Sequence, residues 1–158
     1  MLNKMKSRCS GTTCTAPTFA AILMSMAVVF GPMPTSAQES EVTFPPLDQL
    51  EHYTTVTRGI TREHMLTNQA AIDALKAGEP VPVGSHVVLV DYQDDVLTRY
   101  LVAQRLGAGI DDWGYQWFWP DATVKADEDI GRCYACHQRS RRDQEFMFTH
   151  SDAVGFSQ

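Results

Sequence analysis

The segment Cys133-Tyr134-Ala135-Cys136-His137 constrains this chain more than any other, because few structures use two thiols three positions apart with an imidazole beside the second. On one helical turn the thiols can form thioethers to the two vinyl groups on one side of a porphyrin, and the following imidazole then lies under the iron. The motif therefore predicts one covalent haem c, attached at Cys133 and Cys136, with His137 as the proximal iron ligand. Three other uses compete. A structural zinc site needs four ligands, usually from two such pairs, and no second pair follows residue 37. A thioredoxin-like redox pair opens a helix early in a βαβ unit, whereas this one lies close to the C-terminus. A plain Cys133–Cys136 disulfide is sterically allowed wherever the compartment is oxidising.

The N-terminus supplies that compartment. Lys4, Lys6 and Arg8 precede an uncharged apolar run over residues 19–30, FAAILMSMAVVF, which is followed by Gly31, Pro32 and Pro34. This is the layout of a secretory signal peptide over residues 1–37, with Thr35 and Ala37 at positions −3 and −1 before a cut ahead of Gln38. A run of 12 residues is too short to cross a bilayer, and an uncleaved anchor is the competing reading. Processing predicts a periplasmic or secreted domain of residues 38–158 with no membrane span. It also removes Cys9 and Cys14, leaving Cys133 and Cys136 alone. Of 13 basic residues three leave and all 19 acidic ones stay, so the remaining chain carries a net charge of −9. That balance disfavours nucleic acid or an anionic membrane surface as partner.

The rest of the chain reads as short elements broken by glycine and proline. Asn68 can cap a helix through Ala77, with Ala71, Ile72 and Leu75 on one face and Gly78 just past its end. After a Pro/Gly connector, residues 85–92 (SHVVLVDY) have the β-branched density of a strand packed on both faces. A turn over residues 93–95 leads to a second strand over 96–106, favoured there over a helix through Leu97, Leu101 and Ala103. Residues 107–112 form a loop. Alternation then places Trp113, Tyr115, Trp117 and Trp119 on one strand face until Pro120 stops it. Asp127, Glu128 and Asp129 lead into the cysteine segment, where carboxylates suit a helix start. These elements predict an α+β fold: a small, mainly antiparallel sheet with short helices and the haem-bearing residues on a C-terminal helical turn. A four-helix-bundle cytochrome would need long segments of helical period. The small all-helical carriers attach haem near the N-terminus and recruit a distant methionine, which the 21 residues after His137 do not allow.

The order of these elements resembles the cytochrome P460 family, which includes the β-sheet cytochromes c′. The likeness rests on the helix over 68–78 followed by Pro82-Val83-Gly84-Ser85 and a strand, on Asp112-Trp113-Gly114-Tyr115, and on the cysteine segment followed by Phe146-Met147-Phe148-Thr149. It covers residues 53–149. The resemblance implies a sheet-rich, often dimeric protein with a proximal histidine and an open or weakly occupied distal position. It also implies two activities. P460 enzymes carry a lysine crosslink to the porphyrin and oxidise hydroxylamine; the cytochromes c′ of this fold lack the crosslink and bind nitric oxide or carbon monoxide. The crosslinking lysine comes five residues after the glycine of the Pro-x-Gly-Ser element, and here that residue is Leu89. The expected function is thus five-coordinate haem that binds a small gaseous or nitrogenous ligand and passes one electron to a redox partner protein. Hydroxylamine oxidation is the alternative. Leu89 either faces the iron or belongs to ordinary core.

Several residues remain open to more than one use. Met65, Met147, His52, His64, His86 and His150 are the candidates for a sixth ligand. Arg132, Arg139, Arg141 and Arg142 can pair with haem propionates, dock an acidic partner or form a solvated face. The aromatic stripe serves a haem wall or sheet core equally well. Glu63, Asp91 and Asp112 are the carboxylates available for a proton relay.

Overall fold

A computed structural model of the protein describes residues 40–157; the expected signal peptide, with Cys9 and Cys14, lies outside them. Five strands, β1 (Glu51–Arg58), β2 (Thr61–Thr67), β3 (His86–Gln93), β4 (Val96–Arg105) and β5 (Trp113–Phe118), make one antiparallel sheet in chain order. Helix α1 (Gln69–Ala77) is inserted between β2 and β3, and α2 (Ile130–Arg141) and α3 (His150–Gly155) follow β5. The fold is the small α+β arrangement expected from the sequence.

Strands β1 and β2 have no counterpart in the sequence reading. Both are rich in threonine and charge, β1 is an edge strand, and an irregularity between His52 and Thr54 breaks its alternation. Pairing with β3, not composition, makes β2 a strand. The helix α1 falls where its apolar spacing put it and buries Ala71, Ile72, Ala74 and Leu75. Gly78 ends it at φ 71°, which lets the Glu79 N–H reach the Ala74 carbonyl at 2.9 Å. Asn68 stands at the N-cap position without capping, because its Oδ1 accepts the His86 N–H at 2.7 Å and ties the helix start to β3. The β3–β4 turn uses Asp94 and Asp95 at φ 48° and 63°, the left-handed pair that suits a two-residue hairpin.

Register divides the sheet into two faces. Met65, Leu89, Leu101 and Trp117 stand abreast on one face, with Val87, Ala103 and Tyr115 in the next row. Leu66, Val88, Val102 and Gln116 form the corresponding row on the other. The first face packs against α1, α3 and the 146–147 turn through Ile72, Leu75, Phe146, Met147 and Ala153. The second is covered by the chain ahead of β1, where Phe44 meets Tyr100 and Phe118 edge-on at 5.1 Å each. Each fully buried aliphatic side chain such as Ile72, Val88 or Val102 contributes about 1.5–3 kcal/mol of hydrophobic stabilisation.

The aromatic stripe needs a correction. Trp113 and Tyr115 are buried and Trp117 is half-buried on the first face, but Trp119 lies beyond β5 and is exposed. A turn closed by the Ala122 N–H on the Trp119 carbonyl at 2.9 Å takes the chain out of strand geometry. The ring of Trp119 then packs under the Lys125 ammonium at 4.4 Å.

Candidate functional site

Asp129 starts α2 by accepting the Arg132 N–H on its side chain at 3.1 Å. From there the helical period brings Cys133, Cys136 and His137 to one side, three and four positions apart. Both cysteines are unpaired and half-buried. Burial pushes the Cys133 thiol up, partly offset by a hydrogen bond with Trp117.

His137 is oriented by the backbone. Its Nδ1 donates to the Phe146 carbonyl at 2.5 Å, which places the proton on that nitrogen and leaves Nε2 with a lone pair. Tyr115 lies 4.9 Å from the imidazole, as does Phe148, which meets it edge-on. Burial lowers the His137 pKa against the opposing effect of the Phe146 bond, which favours the neutral ring. The carbonyl reaches the ring because Glu145 and Phe146 both adopt left-handed backbone, at φ 50° and 59°. Two adjacent residues with side chains in that region are uncommon, and such strain concentrates at functional positions.

The His137 ring borders a cavity of about 250 Å³. Met65, Val87, Leu89, Leu101 and Ala103 form its sheet wall, and Phe146, Met147 and Phe148 line it from the turn. Arg58 and Glu63, which form an ion pair, are its charged rim. The exposed members of the lining, Arg58 and Phe148, mark the mouth. Tyr115 and Trp113 also border the cavity, and neither the Tyr115 hydroxyl nor the Trp113 Nε1 has a hydrogen-bond partner among the described residues. Burial, chiefly, and the nearby Cys133, Tyr134 and Cys136 raise the Tyr115 pKa.

Of the residues singled out in the sequence, Leu89, His137, Met65, Met147, Glu63, Trp113 and Tyr115 border this cavity, whereas Cys133 and Cys136 are not in its lining. His52 and His64 are not in its lining; they share the Thr55 hydroxyl, at 2.8 Å each. His86 contacts Thr43 at 3.2 Å, and His150 begins α3. Asp91 is buried and paired with Arg99 at 2.9 Å, whereas Asp112 is exposed and accepts the Gly109 N–H at 2.7 Å. Arg142 forms two 2.7 Å bonds to Asp111, Arg141 covers the Phe148 ring at 4.7 Å, and Arg132 and Arg139 are exposed.

Sequence reasoning missed Arg58, the Phe146 carbonyl and Asp111. Asp111 fastens the 107–112 loop to α2: besides Arg142, Gln138 donates to its carboxylate at 3.2 Å and the Tyr134 hydroxyl donates to its carbonyl at 3.0 Å. The signal was the spacing of Tyr134, Gln138 and Arg142, four apart, the last at the C-cap of α2. Arg142 and then Gln138 hold the Asp111 carboxyl down at about 2. Among the described residues, no three His, Cys, Asp or Glu side chains converge as a metal-binding group, and no helix is long and apolar enough to cross a membrane. Comparisons of the chain with protein-family models and with curated proteins find no match.

Proposed function

We propose that this protein is an exported monohaem c-type cytochrome of the P460-like kind, with haem joined through Cys133 and Cys136, His137 as its proximal ligand, and a distal side that takes small ligands such as nitric oxide. The observation that carries this is His137, its Nδ1 held by the Phe146 carbonyl and its Nε2 left with a lone pair at the wall of a largely apolar cavity, with unpaired Cys136 next to it in the chain and unpaired Cys133 one turn before.

The residues present fit such a group. His137 would hold the iron through Nε2, and Cys133 and Cys136 would hold the porphyrin. A porphyrin is larger than this cavity of about 250 Å³, whose lining includes His137 but neither cysteine, so the ring would lie only partly within it. The raised Cys133 pKa argues against an activated redox thiol, which needs an electropositive setting. Bound haem iron would supply the position for a diatomic ligand and the one-electron couple. Leu89, Leu101, Val87 and Ala103 offer no hydrogen-bond donor, exclude water and admit small apolar gases. Hydroxylamine oxidation is the second reading. The Arg58–Glu63 pair on the same cavity favours it as a source of acid/base chemistry, and Leu89 in place of a lysine weighs against it.

Intact mass and optical spectra of the processed protein test the assignment. The expected mass is residues 38–158 plus one haem with no free thiol, and the ferrous form should bind both carbon monoxide and nitric oxide. A spectrum insensitive to both gases would overturn the open site and point to Met65 or Met147 as sixth ligand. A haem-free product would leave a thiol–disulfide protein. Hydroxylamine-dependent reduction of an added acceptor would favour the enzymatic reading.

A further inference from the structure

The charge of this molecule is distributed against its net sign. Residues 130–142 hold Arg132, Arg139, Arg141 and Arg142 and no carboxylate, while residues 38–158 as a whole carry −9. The acidic approach to α2 is only partly compensated, since Arg99 also serves buried Asp91, Asp129 keeps its charge, and exposed Asp143 follows the last arginine. Asp127 pairs with Lys125 at 2.6 Å, Glu128 with Arg99 at 2.7 Å, and Asp129 is occupied as the helix cap. Arg132 and Arg139 are exposed and have no ion pair among the described residues. They flank Cys133 and Cys136 on a helix about 18 Å long with no fully buried residue. Helix stability accounts for Arg139, whose charge suits the last turn, but not for Arg132, because a cation in the first turn is disfavoured by the helix dipole.

We infer that the outer face of α2 is the electron-transfer contact for an acidic redox protein, with Arg132 and Arg139 as the side chains that receive its carboxylates. The inference rests on the haem reading, since the electron enters or leaves at the haem edge carried by this helix. Charges more than about 8 Å away are largely screened at physiological salt, so the local face outweighs the net −9 at contact. Guanidinium groups match carboxylates in geometry as well as sign. A porphyrin joined through its vinyl groups would carry its propionates on the edge away from the thioethers, so these exposed arginines would be available to a partner.

The test is the sign of the salt effect with inorganic oxidants of opposite charge. Each oxidation moves one electron from the ferrous haem protein to the probe, giving the ferric protein and either hexacyanoferrate(II) or tris(phenanthroline)cobalt(II). The rate with hexacyanoferrate(III) should fall several-fold as ionic strength rises from about 0.1 to 1 M, a range in which the screening length shrinks from about 10 to 3 Å and the distant net charge is already screened. The rate with tris(phenanthroline)cobalt(III) should not fall. R132Q/R139Q should remove most of the hexacyanoferrate(III) salt effect while leaving the spectrum and midpoint potential unchanged. A hexacyanoferrate(III) rate that rises with salt, as the net charge alone dictates, overturns the inference while leaving the haem assignment standing. A changed potential in R132Q/R139Q with the salt effect intact would assign the arginines to the porphyrin's own propionates and also overturn it. Failure of the haem assignment itself shows separately, as a haem-free product.

Discussion

Replacing Glu145 by glycine should leave the protein more stable than replacing it by alanine, the reverse of the usual order of these residues within regular structure. Both substitutions remove the same carboxylate, which accepts the Val81 N–H at 3.2 Å and lies 4.0 Å from the Arg105 guanidinium. The difference between them therefore isolates the backbone, which at Glu145 stands at φ 50° and ψ 37°. A Cβ in the left-handed region costs about 1–2 kcal/mol. Glycine's greater freedom in the unfolded chain returns about 0.4–1 kcal/mol of that. The balance of the two spans about 0–1.6 kcal/mol and centres near 0.8 kcal/mol in favour of E145G. With a urea dependence of about 2 kcal/mol per M, its unfolding midpoint should lie about 0.3–0.5 M above that of E145A. Urea unfolding followed by circular dichroism measures this. The same inversion should separate F146G from F146A, on top of a shared loss of about 3–5 kcal/mol for the buried ring. An E145A midpoint equal to or above that of E145G would refute the left-handed turn, and with it the explanation of how the Phe146 carbonyl reaches His137.

Three further outcomes follow from the same geometry. Tyr115→Phe removes a buried hydroxyl without a partner among the described residues, so thermal unfolding should show stability unchanged or raised by about 1 kcal/mol. Burial lowers the pKa values of His64 and His86, so the unfolded chain binds these protons more tightly. Stability should hold above about pH 6.5 and decline as pH falls below it, and H86Q should flatten part of that decline in urea titrations at several pH values. Asp111, held at about 2 by Arg142, contributes stability that is present above about pH 4 and lost as pH falls toward 2. D111N should therefore be less stable at pH 7 and show a smaller acid-side loss by circular dichroism.

The site was legible where local chemistry sets it. Cys133, Cys136 and His137 are close in the chain, so helical spacing alone brings them to one side of α2. Leu89 was placed only through a family resemblance, and register puts it beside Met65 and Leu101 at the cavity His137 also borders. Trp119 was misplaced because alternation continues on paper past the point where the turn at Ala122 ends the strand. Asn68 has the residue type of a local cap, yet its oxygen is committed to a strand 18 residues away.

By itself the sequence determined the elements whose signals lie within a few residues: α1 with its Gly78 stop, the β3–β4 hairpin, and the cysteine–histidine turn. Tertiary structure alone decided what depends on distant partners. Polar β1 and β2 become strands because β3 offers a hydrogen-bonding edge. Asp111 acquires three partners because α2 docks beside its loop. Glu145 and Phe146 take a backbone that neither residue prefers because Phe146 is fixed in the core on one side while its carbonyl meets His137 on the other. Periodicity and propensity act over single turns, whereas burial energy and the pairing of buried polar groups are properties of the assembled sheet and helices.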